Sequence, residues 1–143
     1  MPCVYEIDIE RGLVITTASG EVTFSEVTTH QDRLFADPDF NSRFDQLLDC
    51  SSVTLLDISS GEAKTIADRS QFSRTSLRAF VASQPANFGI GRMLAAYVEM
   101  SRTPSSARVF RDIASAMDWL QSGGVAPSSS AATSNGPKPR LAG

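Results

Sequence analysis

At the start of the chain, Val4, Glu6, Asp8 and Glu10 alternate with Tyr5, Ile7 and Ile9. A period of two marks a strand with one wet face and one dry face. Gly12 offers a turn, and Leu13 to Ser19 is a second run rich in β-branched residues. The two runs together predict a hairpin at a sheet edge. The period then changes, with Phe24, Val27, Leu34 and Phe35 recurring at helical spacing. Thr23 and Glu26 have the spacing of a capping box, and Val22 and Val27 that of a hydrophobic staple, so a helix should begin here. Pro38 ends it, because proline disfavours helical geometry at Asp37.

Strand and helix patterns keep alternating. Leu47 and Leu48 sit in a strand, and Ala63, Ile66 and Ala67 form the buried stripe of the next helix. The run SLRAFVAS predicts a buried strand ended by Gln84 and Pro85. Ile90, Met93, Leu94, Tyr97 and Met100 then make a helical stripe, followed by a last strand, SARVFRD. Asp112 is the expected cap of the final helix, with Ile113, Ala116, Met117 and Leu120 inward and Gly123 as its stop. The order ββαβαβαβα predicts an α/β fold: one domain over residues 1–122, with a mostly parallel sheet of four or five strands. An antiparallel edge hairpin opens it and helices pack on it. Residues 123–143 are rich in Gly, Ser, Pro and Ala and bury too little to offset their ordering entropy, so they are expected to be a disordered tail.

Composition changes this picture little. With 41% apolar and 20% charged residues over 143 positions, the chain reads as an ordinary globular domain. No apolar run approaches the roughly 18 residues of a membrane helix, and the first twelve residues lack the basic and apolar regions of a signal peptide. Cys3 and Cys50 have no metal-ligand or redox spacing, so a reducing cytoplasm is the expected location. Charge is unevenly divided: residues 1–62 carry three basic side chains against twelve acidic ones, residues 63–122 eight against four. Folding back interleaves the halves and averages most of that field, while any remaining polarity would steer a charged partner. The basic residues are scattered without aromatic neighbours, so a nucleic-acid partner is not expected.

Candidate chemistry is sparse. His30 is the only histidine and lies in the polar run TTHQD, where a solvated imidazole far from any nucleophile is expected. One histidine and two distant cysteines do not assemble a metal site, and no cofactor is expected. Gly89 and Gly91 lack the third glycine of a dinucleotide fingerprint, since Leu94 stands there. They can instead let a helix approach the sheet, and Arg92 beside them is a candidate anion-binding residue. The stripe of Phe88, Ile90, Met93, Leu94 and Tyr97 is a candidate wall for a small apolar ligand, or else ordinary core. Trp119 is assigned to core or rim packing.

The most specific signal is LLDCSSVTLLDISSGEAKTIA. Ser59 and Glu62 form a second capping box, which leaves Ser60 and Gly61 in the first turn. A phosphate on Ser60 would meet the free amides and positive end of a helix. This run resembles the STAS-domain signature of anti-sigma-factor antagonists, in which the serine before the glycine is phosphorylated. The resemblance implies Ser60 as the modified residue, with Asp57, Ser59 and Gly61 in the switch loop. Ile58 departs from the pattern by separating Asp57 from the serines. Residues 4–122 as a whole resemble the SpoIIAA-like group of small bacterial proteins, related to STAS and CRAL-TRIO domains. The features are GLVITTASGEVTFSEV, ADPDF, LLDCSSVTLLD and VFRDIASAMDWL. Two functions follow as expectations: a non-enzymatic regulatory module that binds a protein partner, switched at Ser60, or a carrier of lipid or another small apolar ligand.

Overall fold

The computed structural model describes residues 3–124. The expected tail lies, from residue 125 onward, outside the described residues. Strands β1 (Cys3–Asp8) and β2 (Leu13–Thr23) pair antiparallel, and β2, β3 (Asp45–Asp57), β4 (Leu77–Val81) and β5 (Ser106–Phe110) run parallel in chain order. Helices α1 (Phe24–Ala36), α2 (Ser60–Asp68), α3 (Pro85–Glu99) and α4 (Ile113–Gln121) alternate with them. This is the α/β order that the changing period predicts.

Alternation along the strands sorts the core into two layers. Leu13, Leu47, Ala79 and Val81 point to one face, where Ala116, Trp119 and Leu120 of α4 cover them. The residues between them point to the other face. There Phe80 packs with Ala95 and Val98 of α3 and Ala67 of α2, and Val14 packs with Leu34 of α1. A sheet in sequential order has this consequence, because each right-handed crossover steps the same way and lands on the same face.

Both capping boxes form. Thr23 Oγ1 accepts from the Glu26 amide while Glu26 accepts from the Thr23 amide, and Ser59 and Glu62 repeat the exchange. Asp112 caps α4 by accepting from the Ser115 amide.

Four local expectations are corrected. The second strand does not stop at Ser19: β2 and β3 stay paired to Thr23 and Asp57, across two register shifts. Gly20, at φ +68°, sits at the second shift in a conformation that other residues rarely adopt. β4 pairs only with Gln46 to Asp49, so the far half of β3 has a free edge, and Asn87 of α3 donates to the Val53 carbonyl there at 3.0 Å. Ile9 is 59% exposed because β1 ends at Asp8 and the chain turns. Met100 and Ile113 are also exposed, lying at the ends of their helices, and Trp119 takes the inner position on α4 instead.

Gly91 fulfils its expected role. A Cβ there would stand 3.0 Å from a Val109 methyl, so its absence sets the α3–β5 spacing, whereas Gly89 faces open space. Between α2 and β4, Phe72 drops from an otherwise polar loop into the core and is 0% exposed. It meets Phe35 and Phe40 edge-to-face, with centroids 5.9 and 5.2 Å away. Phe72→Ala should cost about 3–5 kcal/mol, measured as the shift in urea midpoint, through lost transfer energy and the remaining cavity. A loss below about 1 kcal/mol would show that the loop does not anchor the α1 side of the core.

Candidate functional site

A cavity of about 70 Å³ lies between the sheet and the three helices α1–α3. Its floor rises from alternate positions on the strands: Thr16 and Ala18 of β2, Gln46, Leu48 and Cys50 of β3, and Arg78 of β4. Leu34 and Phe35 of α1, Ala63 and Ile66 of α2, and Ile90 and Leu94 of α3 roof it. Leu56 and Ile58, both partly exposed, line it near the carboxyl ends of β2 and β3. Most of the wall is apolar. The exceptions are Thr16, Gln46 and Arg78 beneath, with His30 and Gln31 above, all five buried.

These polar groups form a chain. Arg78 donates from Nε and Nη2 to Gln46 Oε1, at 3.1 and 2.9 Å, and from Nη1 to Ser70 Oγ. Gln46 Nε2 donates to Thr16 Oγ1 at 3.2 Å, and Thr16 Oγ1 lies 3.3 Å from His30 Nε2. A hydroxyl has one proton to give and two lone pairs to accept with, so this contact forms with either tautomer of His30. Gln31 closes the roof, donating to the Ile66 carbonyl and accepting from Arg69.

His30 is therefore not the solvated side chain that its polar neighbours suggest. It is 7% exposed and stacks edge-on against Tyr5 at 5.7 Å. The phase of α1 turns His30, Gln31 and Leu34 inward together, and the polar pair meets the polar floor. His30 also lies beside a hydroxyl, contrary to its expected isolation. The pair is a poor nucleophile and base all the same. Burial, with Arg78 and then Arg33 nearby, lowers the imidazole pKa from 6.5 to about 4.

Of the residues expected to bind a ligand, Ile90 and Leu94 reach the cavity. Tyr97 packs in the core between α3 and the sheet, and Met93 is half-buried on α3 without lining the cavity. Phe88 lies in a separate shallow cleft over β5 with Arg92, Glu99 and Arg108. Arg111 stacks on Phe88 at 4.1 Å. Arg92 is exposed there, with Glu99 in the same cleft. The serine loop is elsewhere again. Asp57 ends β3, Ser59 is the cap of α2, and Ser60 and Gly61 are exposed in its first turn. Ile58, between Asp57 and the serines, turns into the cavity. Cys3 and Cys50 are free thiols on the cavity wall, and burial first of all pushes the Cys50 thiol up to about 12. Among the described residues no group of His, Cys, Asp or Glu could hold a metal ion, and no helix is long and apolar enough to cross a membrane.

The depressed His30 makes a pH prediction. The unfolded chain takes up this proton near pH 6.5 and the folded protein only near 4. Between those values the unfolded state binds more protons, so stability falls as pH drops through the window, by on the order of 3 kcal/mol in all. Urea midpoints measured from pH 7.5 to 4 should decline in the wild type and less steeply in His30→Gln. Equal slopes would remove the imidazole from the explanation.

No protein-family model matches the chain, nor does any curated protein. Among solved structures, an uncharacterised protein of the DUF3478 family from Shewanella loihica PV-4, with a SpoIIAA-like fold, is similar. The TM-score is 0.53 at 16% identity, over 82% of this chain and 91% of that one. Together with the sheet order and the four helices, that similarity gives this chain a SpoIIAA-like α/β fold.

Proposed function

We propose that residues 1–122 form a binding module for a small, largely apolar ligand, held between the sheet and α1–α3. The observation that carries this reading is the cavity itself, apolar along most of its wall and provided with a few convergent polar groups. The position of Leu56 and Ile58 at the carboxyl end of β3 supports it, since ligands of parallel α/β sheets bind at that end. Binding without catalysis fits a lone imidazole whose basicity is lowered and whose nearest hydroxyl is buried with it. Leu94→Phe, which fills the cavity, should abolish thermal shifts produced by short aliphatic compounds in the wild type. A purified chain with only its bare mass by native mass spectrometry, and no thermal shift with any such compound, would end this reading.

A second reading, a regulatory module switched at Ser60, is supported by the exposure of that hydroxyl outside the capping box. Ser59 holds the cap, so Ser60 is spare. Ser59→Ala should cost about 1 kcal/mol of stability, while Ser60→Ala stays within about 0.5 kcal/mol. Phosphate on Ser60 in protein isolated from its native cells, with weaker partner binding in Ser60→Asp, would support the switch. Partner binding that is the same in Ser60→Asp and Ser60→Ala would exclude it.

A further inference from the structure

Arg78 is a cation in the core without an acid. It is 6% exposed, yet none of the ion pairs among the described residues includes it. An unpaired charge removed from water is among the most costly features a core can carry. Its compensation within the protein is neutral. Gln46 and Ser70 accept three of its N–H groups, and the faces of Phe72 and Phe80 lie 4.6 and 5.6 Å from the guanidinium carbon. A guanidinium has five N–H groups, so one on Nη1 and one on Nη2 remain. Burial lowers its pKa only to about 10, so the charge persists at neutral pH.

The same side chain lines the cavity, whose other walls are mainly apolar. Gln46 and Arg78 face each other across the β3–β4 pairing near the start of both strands. Ile58 and Leu56 stand at the other end of β3. A charged group in an otherwise mainly apolar lining matches a particular kind of molecule. We propose that the cavity binds a short monocarboxylic acid, its carboxylate on Arg78 and its alkyl group against the apolar wall. This deepens the ligand-binding reading above and rests on it.

The chemistry favours a carboxylate over a more highly charged anion. Its two oxygens take the two remaining N–H groups, and one negative charge neutralises one positive charge. A phosphate dianion has more acceptor sites than the two remaining N–H groups supply, and its second charge would be left unpaired. Size favours a short chain. A volume of about 70 Å³ is less than half of the roughly 150 Å³ apolar cavity that accommodates benzene, so acids of about two or three carbons come first.

The test is isothermal titration of the full chain with acetate and propionate, each against its matched alcohol, ethanol and 1-propanol. In the wild type the acid should bind at least tenfold more tightly than the alcohol, and the Arg78 Nε–H resonance should shift on addition of the acid alone. Arg78→Met should remove the preference for the acid while leaving the alcohols bound. Acid and alcohol binding equally in the wild type would overturn the carboxylate assignment and leave the apolar pocket standing. Retention of the preference in Arg78→Met would overturn it too. If neither acids nor alcohols bind, the assignment and the pocket reading fall together. Circular dichroism reports whether Arg78→Met is folded, and the wild-type comparison decides the matter if it is not.

Discussion

Every parallel connection in this sheet steps in the same direction, and that constraint shapes the rest of the molecule. A sheet in the order β1-β2-β3-β4-β5 sends α1, α2 and α3 to one face and leaves α4 alone on the other. One helix over β3 to β5 packs directly, with Trp119 and Leu120 filling the space. Three helices on the opposite face must also pack on each other. α3 is drawn close to β5 through Gly91, while α1 leans over β1 and β2, where Tyr5 donates to Asp37 at its end. The gap opens between them, over Gln46 and Arg78. The cavity thus follows from the topology, and its polarity from the residues placed at its floor.

That floor shows how polar groups can be tolerated in the middle of a sheet. Thr16, Gln46 and Arg78 occupy neighbouring strands on the same face, so their side chains meet laterally. Guanidinium donates to amide carbonyl and amide N–H to hydroxyl, and the hydroxyl meets the imidazole. Such a chain is stable only when each member is satisfied, because the low dielectric that strengthens the bonds also penalises a missing partner. Two N–H groups of Arg78 and its net charge have no partner among the described residues.

The fold was legible in the sequence because its signals are local. Period, capping box and proline mark Thr23, Ser59, Pro38 and Asp112 within a few residues of the elements they bound, and the hairpin with its three crossovers follows from their order. The site was much less legible. Ile90 and Leu94 could be picked from their stripe, but whether Tyr97 or Leu94 meets the cavity depends on how far α3 stands from the sheet. Arg78 sits in SLRAFVAS, a run whose apolar neighbours were sign enough of burial. A buried arginine in a strand without a nearby acid was the available clue. His30 misled because polar neighbours in sequence, Thr29 and Asp32, are exposed on a helix whose next face is not. Phe72 had only its isolation in a polar loop to mark it.

The serine loop and the cavity meet at Ile58. An extra residue between a strand end and a helix cap redirects the chain beyond it, and here its own side chain is directed inward, onto the cavity wall. The capping box then forms on Ser59, one residue before the exposed Ser60. A group added to Ser60 would act at the first turn of α2, two residues from Ile58 and three from Ala63, both of which line the cavity. The same short helix therefore presents its start to solvent and its inner face to the cavity. Ala63 and Ile66 stand on the cavity wall, one turn or two along the same helix from Ser60. The two functional readings need not compete, because one nine-residue helix carries both surfaces.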